Sequence, residues 1–331
     1  MQESWRHWLR RPVLNTGLVI ALGAGGFAGP VCAAYPEHAI TLQVGFAAGG
    51  PTDAMARVIA SEIGAELKQT VVVENKPGAG SNIAASLVAR AKPDGYTLLM
   101  VAVTSAINQT LYDKPGFNLG TDFEPVGLVG KIPSVLVVNP DLPVHSVQEL
   151  MTYAKAHPGT LTFGSSGNGT SIHVAGEMFK SAAGLDVTHV PYRGSAPAGL
   201  AVMAGQVSYM FDNVPTVWPF VQTDRMRALA VTTKERIASA PQLPTMAESG
   251  FPDFDVSSWY GLIAPANTPA EEIRVLDQAL QKVLARPDFQ ERMKGLGVIL
   301  QPGTPESFGA FMKAEVERWA PIVKASGARN E

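Results

Sequence analysis

Two strand-to-helix turns, rich in glycine and small hydroxyl residues, carry the chemistry most open to this chain. Gly45-Phe46-Ala47-Ala48-Gly49-Gly50-Pro51-Thr52-Asp53 follows the apolar run 40–44 and precedes the helical stretch 54–67. Phe163-Gly164-Ser165-Ser166-Gly167-Asn168-Gly169-Thr170-Ser171 follows the run 161–163 and precedes the stretch 172–183. Each presents free backbone N–H groups and the positive end of a helix, which is how a protein holds an anion without a counter-charge. Neither turn contains Lys or Arg. Phosphate sites usually add a cation, so dipoles and hydroxyls alone suit a carboxylate better. One such turn in each half of the chain suggests a clamp.

Other residues fall at matching places. Thr104-Ser105 follows the strand 97–101 and Asp212-Asn213 ends the strand 207–211, at carboxyl ends where ligands gather in open α/β sheets. Asp53 reads first as the cap of its helix and second as a contact for a ligand amine or hydroxyl. His173 opens the helix after the second turn, where it either donates to a carboxylate or packs beneath the loop. Arg193, in Tyr192-Arg193-Gly194, is the one fixed positive charge near this crevice; it either pairs a second carboxylate or stays solvated. Several buried ligand charges would therefore lack partners. This favours a monocarboxylate, or an acid whose second group is neutral or amino, over citrate. Asp212, and less so Asp53, suits an ammonium.

Enzyme motifs fail at the residue that does chemistry. Gly164-Ser165-Ser166-Gly167-Asn168 has Asn168 where a nucleophile elbow needs glycine, and Thr170 stands where a phosphate loop needs lysine. Gly78-Ala79-Gly80 begins a dinucleotide fingerprint that Ile83 ends. No two histidines share an i, i+4 spacing and no carboxylate pair completes a metal-ligand pattern. The expectation is no catalytic residue, no metal and no cofactor. An enzyme acting on a carboxylate, with Asp53 or His173 as base, is the least favoured reading.

Residues 1–34 carry an address. Arg6, Arg10 and Arg11 precede a short apolar stretch, 16–29, and Cys32-Ala33-Ala34 supplies the small residues of a cleavage site before Tyr35. The stretch is too short to span a bilayer, so the expectation is a cleaved signal peptide and a periplasmic protein. Cleavage removes the chain's only cysteine, which suits an oxidising compartment. With 26 basic and 29 acidic residues and no block of like charge, nucleic acid is not expected as a partner.

Beyond residue 34, short β-rich runs alternate with helical patterns of about 10 to 15 residues, the signature of βαβ units. Mostly parallel sheets covered on both faces follow from that alternation. Near the end, 270–284 and 307–325 are amphipathic helices around one lone strand candidate, 298–300. Such a tail cannot build its own sheet, so it completes the first lobe. The expected organisation is lobe 1 over 35–131 plus 240–331, with lobe 2, 132–239, inserted. The crossings are expected near 126–131 and 259–264.

At these residues the chain resembles the extracytoplasmic solute receptors of the tripartite tricarboxylate transporter family, the Bug receptors. The matching stretches include "YPEHAITLQVGFAAGGPTDAMAR", "VVVENKPGAGSNIAASLVARAKPDGYTLLM", "HPGTLTFGSSGNGTSIHVAGEMF" and "VTHVPYRGSAPAGLAVMAGQVSYMFDN". They continue through "LPTMAESGFPDFDVSSWYGLIAPANTP" to "FMKAEVERWAPIVKASG", in order and over nearly all of the chain after residue 34. Two departures stand out: Gly45 where proline is common, and Ser81 where glycine usually repeats. The resemblance implies an α/β, two-lobed periplasmic-binding-protein fold of type II, a Venus flytrap. It implies a small carboxylate held by Phe46, Ala47, Gly49, Gly50, Thr52 and Asp53 from one lobe. Ser165, Ser166, Gly169 and Thr170 hold it from the other, while Ser105, Asn108, Asp212 and Asn213 read the rest of the ligand. The implied molecule is a monomer that presents its ligand to integral-membrane transporter subunits or, alternatively, to a sensor kinase.

Overall fold

Apolar runs stop at glycine turns along much of the chain, and most of those turns feed a helix. In the structure, a computed structural model that describes residues 35–326, β1 (Ile40–Val44) leads through the first turn into α1 (Pro51–Leu67). Pro51 fixes the φ that a first helical residue needs, which starts the helix three residues earlier than its apolar pattern. There follow β2 (Val71–Asn75), α2 (Asn82–Ala89), β3 (Thr97–Ala102), α3 (Val103–Leu111) and the long β4 (Phe123–Val138). The middle of the chain holds α4 (Val147–Ala156), β5 (Thr162–Ser165), α5 (Ser171–Ala183), β6 (Thr188–Pro191) and α6 (Ser195–Met203). After these come β7 (Tyr209–Asn213), α7 (Val214–Val221), β8 (Arg227–Val231) and β9 (Ser257–Pro265). The last elements are α8 (Ala270–Ala285), α9 (Pro287–Gly295), β10 (Ile299–Leu300) and α10 (Pro305–Ser326).

The strands run in the order β2-β1-β3-β9-β4-β7-β5-β6, with β8 and β10 also on β4. Parallel ladders form both flanks: β1 with β2 and β3, and β5 with β6 and β7. Every ladder of β4 and β9 is antiparallel. β4 is where the two flanks meet. Its residues 123–133 pair with β9, and its residues 134–138 pair with β7 and β8. Thr232, fully buried, ties that change of partner together. Its N–H and hydroxyl donate to Ser134 O, both at 2.9 Å, and Val256 N–H donates to Thr232 O at 3.1 Å.

Apolar side chains from β1, β3, β9, α1, α8 and α9 form one core, and those of β4, β7, β8, α6 and α7 a second. A third runs from α2 and α3 to α4 and α5 beneath α10. Glu315 of α10 anchors that helix, accepting the indole N–H of Trp259 at 2.8 Å and of Trp319 at 2.9 Å. The tail helices pack as their apolar stripes demand, α8 on α1 and β4, α10 on α3 and β4, with α10 also reaching α5. Residues 240–256 connect β8 to β9 along α5 and β7. Met246 N–H donates to Val231 O of β8, and Phe251 and Phe254 pack on Phe179 and Phe211, each with ring centroids 5.4 Å apart.

The export segment expected over residues 1–34 lies outside the described residues. No helix among the described residues is long and apolar enough to cross a membrane.

Candidate functional site

The first turn is closed by a carboxylate from inside its own helix. Asp53 does not cap α1: the N-cap is Gly50, and Asp53 stands three residues further on. From there its Oδ2 accepts the Gly49 N–H and the Arg57 Nε–H, both at 2.9 Å, and its Oδ1 accepts Asn75 Nδ2–H at 2.9 Å. Asn75 also donates to Phe46 O at 2.9 Å, so the turn is laced to β2. The hydrogen bond from Arg57 holds the Asp53 carboxyl down at about 2, outweighing burial, with Gly49 and Asn75 adding to it. Its two oxygens thus already accept three hydrogen bonds, and the carboxyl is ionised at neutral pH. Around it Ala47 and Gly49 are exposed, Phe46 and Gly50 half-buried, and Thr52 buried.

The second turn is built on imidazoles. Thr170 caps α5, its Oγ1 accepting His173 N–H at 3.3 Å and donating to Gly167 O at 2.8 Å. His173 does not face out as a donor. It is buried, its Nδ1 accepts the Gly169 N–H at 3.2 Å, and its ring stacks on His189 at 4.1 Å. His189 in turn stacks on Phe163 and meets Ser165 Oγ at 2.7 Å. Ser165 is buried, Ser166 half-buried, and Gly169 takes φ +76°, a conformation open to glycine. Burial, then the Lys180 charge, pushes the His173 imidazole down to about 4; burial, His173 and Lys180 push His189 down to about 3.

Those shifts give a pH signature. Both rings fold in the neutral form with depressed affinity for protons. Their stabilisation is therefore complete above the unfolded value near 6.5 and lost as pH falls towards about 4, by linkage up to about 3 kcal/mol for His173. Denaturant titrations at stepped pH are expected to show this decline in the wild type and a flatter one in His189→Phe, which keeps the ring stack. Identical profiles would remove the imidazoles from the account.

The fold also gathers what spacing did not reveal. Ligand atoms of His173, Glu177 and His189 lie within 4.8 Å of one another. The donor set does not fit a metal ion. Because Nδ1 of His173 receives the Gly169 N–H, the ring proton sits on Nε2, the atom that faces Glu177 Oε1 at 4.0 Å.

Between the two turns lie residues that the sequence reading missed. Tyr260 of β9 stands opposite Ala102, the last residue of β3, and so beside Thr104 and Ser105 at the start of α3. Its buried hydroxyl interacts with those of Thr52 and Ser258 and lies near the Asp212 carboxyl. Ser258 Oγ donates to Asn213 Oδ1 at 3.0 Å and meets Ser171 Oγ at 3.2 Å. A chain of hydroxyls thus runs from the first turn to the helix of the second. Asn108 is tied by its Nδ2 to Gly80 O at 2.8 Å and Asn82 Oδ1 at 2.6 Å. Arg193 is exposed and lies outside this network.

Four buried atoms of this set have no hydrogen-bond partner among the described residues: Thr104 Oγ1, Ser105 Oγ, Asn108 Oδ1 and Asp212 Oδ2. A groove of about 390 Å³ between α5, the 250–254 turn and α10 is lined by none of these residues.

Comparison with known proteins matches this architecture. The sequence profile of the tripartite tricarboxylate transporter family receptor covers residues 55–328. The structure of the periplasmic binding protein BugD is similar, at 39% identity with a TM-score of 0.81, over 90% of this chain and 100% of that one. Rpa4515 of R. palustris, solved with adipate, is 34% identical with a TM-score of 0.83, over 89% and 99% of the two chains. MatC from Rhodopseudomonas palustris, solved with bound malate, is 32% identical with a TM-score of 0.79, over 87% and 100%. With most of its length inside that profile, the chain belongs to the tripartite tricarboxylate transporter family of receptors and has its two-lobed α/β periplasmic-binding-protein fold.

Proposed function

We propose that this chain is a periplasmic receptor that captures a small carboxylate between two lobes and presents it to a membrane transporter. The observation that carries the reading is the set of unpartnered buried atoms. Buried polar atoms are nearly always paired, and four of the eight unpartnered ones among the described residues fall on α3, which follows β3, and at the end of β7, which asks for a partner from outside the chain. Three come from α3 and one from β7, which is the division a two-lobed clamp requires. The solved relatives with adipate and with malate support a carboxylate as that partner. We place the lobe joins at the two points where β4 and the segment before β9 change partners, residues 133/134 and 256/257. Ligand touching both lobes binds the closed form better than the open one and shifts the population towards it. An enzymatic reading needs a base. Asp53 is occupied by Arg57, and His173 holds the Gly169 N–H.

A thermal-shift screen of small acids tests this, run on protein unfolded and refolded to strip retained ligand. An acid at a hundred times its Kd is expected to add about 2.7 kcal/mol and raise the melting point by several degrees. No shift with any mono-, di- or tricarboxylate would remove the reading. Delivery to a transporter, against signalling through a sensor kinase, is tested by uptake of that acid in cells lacking the receptor.

A further inference from the structure

Asp212 is a carboxyl group with no exposure to solvent and an uneven set of partners. Its Oδ1 accepts two hydrogen bonds, from Asn213 N–H at 2.7 Å and from Ser195 Oγ at 3.0 Å, while its Oδ2 has none. That is the pattern of a neutral carboxylic acid: the oxygen with two donors is the carbonyl, and the bare oxygen carries the proton. The surroundings agree. Asp212 pairs with Val135 of β4, Ser195 comes from α6, and Tyr260 of β9 lies near across the site. Met210, two residues back on the same strand, packs among the α6 and α7 side chains, whereas Tyr209 and Phe211 pack towards α5. The α5 groups His173, Glu177 and Lys180 therefore lie on the opposite face. Tyr260 is held above the usual phenol range by burial and stays protonated. Burial pushes Asp212 up to about 7, against the opposing hydrogen bonds from Asn213 and Ser195.

Resting on the carboxylate-receptor reading, we propose that Asp212 meets its ligand as a neutral acid, its Oδ2–H donating to a second carboxylate, so that the site selects dicarboxylates. An ionised Asp212 would repel that carboxylate in a low dielectric, whereas an O–H···O⁻ bond is short and strong. No cation is needed, which answers the objection that the crevice has too few positive charges for a dianion. Above neutral pH the free Asp212 is ionised, and binding then takes a proton from solvent.

The test is calorimetry with succinate, malate and adipate, and with β-alanine as the ammonium counterpart of succinate, in buffers of different ionisation heat. The expected result is proton uptake approaching one per bound acid at about pH 8 and little at about pH 6. Affinity falls towards tenfold per pH unit above about 7. Asp212→Asn, with a permanent amide donor, is expected to bind within about fivefold of wild type at about pH 6, on a flat profile with no uptake. Infrared difference spectra of free wild type minus Asp212→Asn at about pH 6 are expected to show a protonated carboxyl band. Proton release on binding at about pH 8, tighter binding of β-alanine than of succinate, or a missing carboxyl band overturns the inference. Binding of the acids without uptake at about pH 8 overturns it alone, while no binding of any acid overturns the receptor reading and this inference together.

Discussion

Gly45→Ala is expected to destabilise the protein by about 3 kcal/mol or more and to abolish ligand binding, although it adds one methyl group. A Cβ at Gly45 would lie 1.8 Å from Ser81 Oγ, 2.4 Å from Ser81 Cβ and 2.7 Å from Ser81 Cα. The hydroxyl can rotate away, but the Cα belongs to the backbone of the 78–82 turn, which Asn108 holds at Gly80 O. Relief therefore means pushing the first glycine turn off its neighbour. Ser81 itself sits at φ +82°, where glycine is the easier residue. Ser81→Gly alone is accordingly expected to be near neutral, and Gly45→Ala with Ser81→Gly to recover only the part of the loss due to the Ser81 side chain, since the 2.7 Å approach to its Cα remains. Urea denaturation of the four proteins gives the coupling directly. Gly45→Ala as stable as the wild type would show that the two turns are not in contact.

That pair also shows how much the sequence could tell. Along the chain, Gly45 in place of a common proline and Ser81 in place of a repeated glycine are two unrelated departures. In the fold they are one exchange: the smaller residue at 45 leaves the space that the Ser81 side chain fills. Periodicity located most strands and helices because each signal is local, although α7 was hidden by Pro215 and Pro219, which read as breaks, and α9 by its short, charged stretch. The two glycine turns were legible for the same reason. Partners from distant segments were not: Asn75 on Asp53, His189 against His173, and Tyr260 between Thr52 and Ser258. Reading Asp53 as a cap failed by three residues, since the apolar pattern of α1 begins after its true start at Pro51. The packing of Phe251 on Phe179 and of Phe254 on Phe211 joins distant segments in the same way.

Ser105→Ala and Thr104→Val are expected to separate binding from stability. Both hydroxyls are buried and neither has a partner among the described residues, so the free receptor carries the desolvation of each with no bond in return. Removing them should leave its melting temperature unchanged or slightly higher. In the complex the same hydroxyls donate to an anion, and such bonds are worth about 1.5–3 kcal/mol, or about tenfold to more than a hundredfold in Kd. Affinity for the acid that gives the largest thermal shift should fall by that factor in each single variant, and further in the double. Asn108→Ala is the contrast. Its Nδ2 holds Gly80 and Asn82, so it should lose stability as well as affinity. Calorimetry and thermal melts on the same samples decide the matter. If Ser105→Ala and Thr104→Val lose stability and keep full affinity, the two hydroxyls serve the packing of α3 and the ligand lies elsewhere.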